Sequence, residues 1–343
     1  MDIFSTGFLN RVVENLSRPS SFLLDAFFRE EQTEESEEIH FDVDKSRPRL
    51  APFVSPLVSG KARASDGYFS KSFKPAYVKD KTIFRPDGPL KRSIGEKIGG
   101  SLSPADRREM ALGRELALQL DALTRSEEVM AAEALCTGKV TVSGEDYPTV
   151  VVDFQRDPAL TVALTGASRW GESGVNMIRD LEDWVDVVKE KSSAVVRTVV
   201  MDPKAWRLFS ESKEVRDLLD IRRGTDTTLT VDLMARGTGN ENARYVGFIG
   251  DLEFYVYNDR YIGADDNLHY VLPPNTVILG SVSSLTGVRC YGVIQDEQAN
   301  YRATRYFSKS WLEQDPAVRW LLMQSAPLVV PFRPDASMCV TVR

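Results

Sequence analysis

Residues suited to chemistry are scarce in this chain. Only two histidines occur among 343 residues, His40 and His269, which excludes most acid–base and metal sites built on imidazole. His40 lies in an acidic segment and His269 at a predicted strand or loop edge, positions more typical of surface or interface residues than of catalytic ones. No Gly-x-Ser-x-Gly motif offers a serine nucleophile. The sequence therefore predicts a protein that is not an enzyme and needs no cofactor.

Two glycine-containing stretches resemble fragments of nucleotide-binding motifs. Gly138-Lys139 looks like the end of a phosphate-binding loop, but Val140 follows where Ser or Thr is required, and Glu133 stands at the first glycine position. Gly237-Thr238-Gly239 begins like a dinucleotide fingerprint, but its third glycine position is Asn242. Neither stretch predicts a nucleotide site.

Two charged loops are the remaining candidates for ion binding. Asp259, Asp265 and Asp266 surround a glycine-containing loop, but they lack the ligand spacing of an EF-hand, and a solvated loop tip is the favoured interpretation. The stretch RRGTD (222–226) reads as a helix end, a glycine turn and a mobile loop, with an anion site as the weaker alternative.

The clearest structural element is a long helix. Ser103 is a good N-cap, Pro104 suits the first helical position, Asp106 follows three residues after the cap, and Gly138 suits the end. Between them, apolar residues recur at steps of three, four and seven residues: Leu112, Leu116, Leu120, Leu123, Met130 and Ala134. A helix of about 33 residues, roughly 50 Å long, is predicted. A coiled-coil strand is the rival, but charges do not repeat over enough heptads.

Shorter helices and strands follow without a regular strand–helix–strand rhythm, which predicts a mixed α+β fold. The predicted elements are a hairpin of 139–142 with 149–154, a helix over 178–191, a buried strand over 194–200, a helix starting at Asp202-Pro203, and a hairpin of 244–250 with 252–258. We predict no internal repeat.

Charge is unevenly distributed near the N-terminus. Residues 25–44, here called the acidic segment, carry nine acids against one base, a net of -8. Residues 61–92, the basic segment, carry nine bases against three acids, a net of +6, interleaved with aromatic residues and prolines that favour extended arms. From charge alone, two solvated surface segments are the simplest interpretation, and a single-stranded nucleic-acid platform is another.

Bulk composition is ordinary for a soluble protein. The net charge of -7 weighs against a nucleic-acid binder. No apolar run is long enough to span a membrane, and no secretory signal is visible. Three widely spaced cysteines, Cys136, Cys290 and Cys339, predict reduced thiols packed as small apolar groups.

Five segments, in order and at matching spacing, carry a resemblance to the lambda-like major capsid proteins of tailed bacteriophages: APFVSPLVSGK (51–61), FKPAYVKDK (73–81), LPPNTVILGS (272–281), GVRCYGVIQDEQA (287–299) and QSAPLVVPFRP (324–334). The resemblance implies a Hong Kong 97-type capsid fold. By position it implies an N-terminal arm (1–55), an extended loop (56–95), a peripheral domain with a long spine helix (96–155 and 288–325) and an axial domain (156–287 and 326–343).

The resemblance also implies partners. Family members form hexamers and pentamers of an icosahedral virion shell around double-stranded DNA, which assembles in the host cytoplasm with a separate scaffolding protein and a portal protein at one vertex. A small decoration protein at three-fold positions is also implied. No covalent crosslink between subunits is expected, because no lysine–asparagine pair that could form an isopeptide bond can be placed in this sequence.

Inter-subunit contacts are expected on the arm and extended loop, with the acidic segment of one subunit beside the basic segment of another; contact within one subunit is the alternative. The FLLDAFF segment (22–28) is expected to anchor on a neighbour. The candidate contact residues are Phe27, Phe28, Glu34, Glu35, Glu37, Arg63, Phe73, Lys74, Tyr77, Lys79 and Lys81.

Two other classes of protein remain as alternatives. An oligomeric DNA-packaging accessory protein would need a basic face, whereas here an acidic segment matches the only basic one. An oligomeric enzyme would need a nucleophile–base constellation, which the motifs do not supply.

Overall fold

The computed structural model describes residues 3–36, 38–44, 68–75, 77–84, 102–144, 147–216, 242–257, 259–263, 265–315 and 318–343. The helices of this part are α1 (Thr6–Asn15), α2 (Phe22–Phe27), α3 (Pro104–Thr137), α4 (Met177–Ser192), α5 (Pro203–Glu211) and α6 (Val282–Leu285). The strands are β1 (Glu30–Thr33), β2 (Ile39–Asp44), β3 (Tyr68–Phe73), β4 (Val78–Phe84), β5 (Lys139–Gly144), β6 (Tyr147–Asp153), β7 (Thr161–Ala163), β8 (Thr198–Met201), β9 (Ala243–Ile249), β10 (Leu252–Tyr257), β11 (Arg260–Ile262), β12 (Leu268–Tyr270), β13 (Thr276–Gly280), β14 (Gly287–Tyr291), β15 (Phe307–Glu313), β16 (Val318–Ser325), β17 (Pro327–Pro331) and β18 (Ser337–Thr341). The mixed α+β prediction is confirmed.

The long predicted helix is α3, and its ends are set by local sequence. The Ser103 side chain accepts from the Asp106 N–H while the Asp106 side chain accepts from the Ser103 N–H, a reciprocal capping box. Gly138 ends the helix in the left-handed region, at φ 70°, where a residue without Cβ has no steric penalty. α3 therefore spans 34 residues, in agreement with the prediction.

A six-stranded sheet, in the order β7-β18-β13-β8-β10-β9, forms the centre of the larger core. Its strands all come from 156–287 and 326–343, the segments assigned to the axial domain. α4 and α5 begin at the side-chain caps Asn176 and Asp202. Trp170 is buried beside these helices and stacks on Trp184 and Phe209.

The predicted buried strand over 194–200 is placed about four residues too early. Ser193 ends α4 in the left-handed region, and the chain then crosses to the sheet, leaving Val195 exposed. The strand proper, β8, begins at Thr198, where all four residues are buried.

A second, smaller core lies where α3 meets the three-stranded sheet β15-β16-β4. The residues packed there are Phe4, Leu9, Val13, Leu112, Leu116, Leu120, Leu123, Leu321 and Met323. Gln119 of α3 is fully buried, and its amide donates to the backbone oxygens of Asp80 and Leu321 at 3.1 and 3.3 Å. The apolar stripe and this amide together hold β4 on α3.

A third sheet joins distant parts of the chain in the order β1-β14-β17. β1 pairs in parallel with β14, so that Glu30 lies opposite Val288. The domain boundary drawn between 287 and 288 falls inside β14, because this strand pairs with both the arm and the tail segment. The domain division itself stays a prediction.

Candidate assembly surface and the arm junction

The apolar segment of the arm is anchored on its own subunit. Phe22, Leu23, Leu24, Phe27 and Phe28 are all buried in the larger core. Two glycines make room for it, because a Cβ at Gly280 would lie 2.5 Å from the Phe27 ring, and one at Gly287 would collide with the Phe27 carbonyl. The expectation that this segment anchors on a neighbour is therefore corrected: the larger core of the same chain buries it.

Glu128 of α3, which corresponds to the spine helix implied by the resemblance, holds the start of α2. This fully buried carboxylate accepts hydrogen bonds from the Leu23 and Leu24 N–H groups, at 2.8 and 3.0 Å, and from the Tyr257 hydroxyl at 2.8 Å. The Ser21 side chain makes no cap of its own, so Glu128 caps α2 from a separate helix. Burial raises the pKa of Glu128 to about 7, against the lowering effect of these hydrogen bonds.

Glu127, the preceding residue, is buried in a second polar cluster. It accepts hydrogen bonds from the hydroxyls of Tyr291 and Tyr306, both at 3.0 Å, and lies 3.7 Å from the Arg18 guanidinium. The Arg305 guanidinium stacks near the two tyrosine rings and adds positive charge. Burial raises the pKa of Glu127, while Arg305 and Arg18 oppose the shift.

Acids of the arm pair with arginines of the same subunit. Glu31 lies 2.7 Å from Arg305 and 3.5 Å from Arg289, and Asp25 lies 3.5 Å from Arg18. Arg289 is nearly buried, but the Glu31 and Asp25 side chains are 39% and 49% exposed, so solvent still screens these pairs. These ion pairs therefore neutralise part of the negative charge of the acidic segment within one subunit.

The predicted pairing of arm and loop between subunits is only partly consistent with the structure. β2 of the acidic segment pairs antiparallel with β3 of the basic segment in the same chain, with Ile39 opposite Phe73 and His40 opposite Ser72. The alternative, contact within one subunit, therefore holds for these two strands. The 23 residues of sequence between these strands add little entropic cost to the pairing, because the cost of closing a loop grows only slowly with its length.

Two further aromatic candidates also pack within their own subunit. Phe73 is half-buried against the larger core. The Tyr77 hydroxyl donates to the Val293 carbonyl at 2.5 Å and accepts from the Gln295 N–H at 2.7 Å. Both side chains therefore make their contacts within their own subunit.

The charged candidate contact residues differ in their exposure to solvent. Glu35, Lys74, Lys79 and Lys81 are exposed, and Glu34 is half-buried. Glu37 and Arg63 lie outside the described residues. Four basic and acidic side chains thus remain at the surface, where a neighbour could reach them.

The outer face of the sheet β15-β16-β4 carries an aromatic patch that the sequence analysis missed. Trp311 lies directly opposite Trp320, which lies opposite Ile83, and Trp311 and Ile83 are 37% and 46% exposed. Lys81 lies over both indole rings, 3.8 Å from the Trp320 centroid and 5.2 Å from that of Trp311. We call these four residues the tryptophan–lysine face. The sequence signal for this face was the alternation of large and small polar residues in 307–313, which is typical of a strand with two different faces.

The ion-binding candidates do not assemble into a site. Asp259 pairs with Arg125 at 3.3 Å, whereas Asp265 binds Asn267 and His269 in the turn between β11 and β12. Among the described residues, no group of three or more His, Cys, Asp or Glu side chains is arranged to hold a metal ion. RRGTD (222–226) and Gly237-Thr238-Gly239 lie outside the described residues.

In the described part of the chain, no helix has the length and apolar character needed to cross a membrane.

The fold resembles solved phage capsid structures. The crystal structure of the putative capsid protein of a prophage from E. coli CFT073 superposes with a TM-score of 0.77 at 23% identity, covering 98% of this chain and 99% of that one. The capsid protein of Cyanophage P-SCSP1u gives 0.53 at 8% identity, covering 95% and 89%. The architecture is therefore the phage capsid fold of the Hong Kong 97 type, as predicted.

Sequence comparison identifies the family to which the chain belongs. The sequence model described as phage major capsid protein E matches residues 5–342. The major capsid proteins of Escherichia phages N15 and lambda are each 31% identical, and each alignment covers 99% of both chains. The chain belongs to the phage major capsid protein E family. Its function is that of a major capsid protein, a structural role shared by these relatives.

Proposed function

We propose that this chain forms hexamers and pentamers that close an icosahedral shell around double-stranded DNA inside a bacterial host cell. The supporting observation is the family match over 5–342, together with a spine helix, arm and loop strands in the expected order. The shell would enclose DNA without sequence-specific binding, because a chain of net charge -7 lacks the basic excess of a nucleic-acid binder.

The shell is proposed to have three further protein partners: a separate scaffolding protein during assembly, a portal protein at one vertex, and a small decoration protein at three-fold positions. These partners are inferred from the family resemblance. The subunits are proposed to join without covalent bonds or enzymatic chemistry of their own, as modest contacts repeated over a closed lattice become collectively hard to break.

The tryptophan–lysine face is the surface that we propose contacts a second copy of the chain. Tryptophans are enriched at the centres of interfaces, where they contribute much of the binding energy. The face joins the extended loop to the peripheral sheet, since Ile83 and Lys81 come from β4, and Trp311 and Trp320 from β15 and β16. A neighbour covering it would bury both indoles.

Substitution of this face tests its role. Trp311→Ala should leave a folded, soluble subunit, because the side chain is outside both cores, but it should reduce the yield of closed particles at least about tenfold. Trp311→Phe, which keeps an aromatic ring, is the matched control and should assemble. Sedimentation velocity separates subunits from particles. Assembly of Trp311→Ala at the wild-type level would remove this surface from the proposal.

The exposed lysines of the loop are proposed to meet the acidic segment of a neighbour. Exposed pairs contribute only about 0–1 kcal/mol each, so this attraction should govern the register and rate of assembly more than final strength. Salt should slow assembly, because screening shortens to roughly 3 Å at 1 M.

Charge reversal tests this attraction. Changing Lys74, Lys79 and Lys81 together to Glu should block assembly, and changing Glu34, Glu35 and Glu37 to Lys in the same chain should partly restore it. Light scattering followed over time at several salt concentrations measures the rate. Normal assembly of the triple reversal at every salt concentration would contradict the pairing between subunits.

A further inference from the structure

The hairpin β11–β12 presents an exposed apolar face. Within the described part of the chain its two strands pair only with each other, with Ile262 opposite Leu268 and Arg260 opposite Tyr270. Because side chains alternate along a strand, these four residues share one face, here called the outer hairpin face. Ile262, Leu268 and Tyr270 are 71%, 56% and 55% exposed. Adjacent exposed apolar side chains of this kind mark a contact surface.

The opposite face fixes the hairpin on its own subunit. Tyr261 packs against the larger core and stacks on His269, with ring centroids 5.5 Å apart. The His269 ring nitrogen lies 2.9 Å from the Asp265 carboxylate in the turn. At the base, Arg125 of α3 donates to the Arg260 carbonyl at 2.9 Å. The outer hairpin face is therefore held in place before a partner binds, which lowers the entropic cost of binding.

Charge follows a definite order along the hairpin. Arg260 stands at its base, Ile262 lies one row further on the same face, and the exposed acids Asp265 and Asp266 lie at the turn. Successive rows on one face of a strand are about 7 Å apart. The order along the hairpin is therefore positive, apolar, negative.

The tryptophan–lysine face has the reverse order. Glu313, which accepts from the Trp320 indole N–H at 2.6 Å, is exposed at the end of β15. The row of Trp311 and Trp320 comes next along the sheet, and the row of Lys81 and Leu322 follows it. The order is negative, apolar, positive, with the same spacing between rows. The two surfaces therefore match in charge and in the position of their apolar rows.

A ring of identical subunits needs two different surfaces on each chain. Hexamers and pentamers use head-to-tail contacts, in which one surface of a subunit binds a different surface of the next. With Lys79 and Lys81 exposed against Glu313, the tryptophan–lysine face is basic, whereas the hairpin carries two acids against Arg260. Contact between these unlike surfaces is electrostatically favoured over contact of either surface with its own copy.

We propose that the outer hairpin face of one subunit docks on the tryptophan–lysine face of the next. The apolar row of the hairpin covers the indoles, its acidic turn lies near Lys81, and Arg260 lies near Glu313. This inference rests on the proposed shell, and it identifies the surface that the tryptophan–lysine face meets.

Photo-crosslinking within assembled particles tests the contact. Benzoylphenylalanine, a photoreactive aromatic residue, replaces Tyr270, and irradiated particles are denatured and separated by mass. We expect a covalent dimer in which the probe is joined to residues 307–323 or 78–84 of a second chain. The same probe at Val151, which is 53% exposed on the separate hairpin β5–β6, should give no crosslink to these strands.

The outcomes separate this contact from the shell itself. Irradiated particles that give no covalent dimer, or a dimer joined at any other surface, would overturn the docking of the hairpin and leave the proposed shell in place. Failure of the wild type to form particles would instead contradict the proposed function.

Footprinting of the wild type needs no substitution at the contact. Hydroxyl radicals oxidise exposed aromatic side chains, and oxidation of Tyr270 and Trp311 should each fall at least about threefold on assembly, because the contact excludes water from both rings. Oxidation of either residue in particles at the rate seen in free subunits would also overturn the proposal.

Substitution at Leu268 gives an independent measurement. Leu268→Asp should leave a folded subunit, because the side chain is exposed, but it should lower the yield of closed particles at least about tenfold. Leu268→Met, which keeps an apolar side chain, is the matched control and should assemble. Sedimentation velocity measures both, and wild-type yields from Leu268→Asp would count against the docking.

Discussion

At the scale of single residues, the most consequential group is the carboxyl of Glu128. Burial raises its pKa in the folded subunit from an ordinary 4.5 to about 7. Between these values the folded state keeps a proton that the unfolded chain releases, so the free energy of unfolding falls as pH rises through this window. The loss attributable to Glu128 should reach about 3 kcal/mol by pH 8.

Glu128→Gln should flatten this dependence, because the amide cannot ionise. Its single carbonyl oxygen replaces only one of the two oxygens to which the Leu23 and Leu24 N–H groups donate, so a loss of stability that does not depend on pH is also expected. We expect the stability of the variant relative to wild type to rise between pH 5 and pH 8, as measured by urea unfolding of the unassembled subunit. Glu109→Gln, at an exposed position of the same helix, should leave the wild-type profile unchanged. Parallel profiles for wild type and Glu128→Gln would show that this carboxyl does not titrate in the window.

The sequence contained a signal for a buried acid in α3, which the search for apolar periodicity did not use. Glu127 falls three residues before Met130 and four after Leu123, where the apolar stripe of α3 would place an apolar side chain. An acid in an apolar stripe indicates a buried, partnered carboxylate. Its partners could not be predicted, since Tyr291 and Tyr306 are about 165 and 180 residues away along the chain.

At the scale of elements, the spine helix gives the sharpest test of the smaller core. Leu120→Asp should destabilise the subunit by more than about 3 kcal/mol, because it places an unpaired charge at a position only 3% exposed. Leu118→Asp, two residues away but 57% exposed, should change stability by less than about 0.5 kcal/mol.

Denaturant unfolding and the yield of soluble protein measure both variants. Equal stability of the two would mean that the face of α3 turned toward the sheet is wrongly assigned.

Helix ends were predictable because their causes are local. Ser103, Asp106 and Gly138 fix α3 through hydrogen bonds and a left-handed residue within a few positions of each end. Pairings such as β1 with β14 were not predictable, because they join segments about 260 residues apart and depend on the whole core. The arm strand Ile39–Asp44 illustrates this: charge indicated the basic loop as its neighbour but could not say in which subunit.

At the scale of the whole molecule, the account predicts subunits held together without covalent bonds. Mature particles boiled in denaturant should therefore give a single band near 38.4 kDa. A ladder of higher bands that survives reductant would contradict non-covalent joining.

The central claim is that this chain builds a closed shell, and electron cryomicroscopy of the purified native assembly tests it most directly. We predict megadalton, icosahedral particles whose walls consist of hexamers and pentamers, with α3 resolved as a long rod in every subunit. Leu120→Asp prepared in parallel should give no such particles. A wild-type preparation that contains only small oligomers, under conditions where the subunit is folded and soluble, would contradict the account.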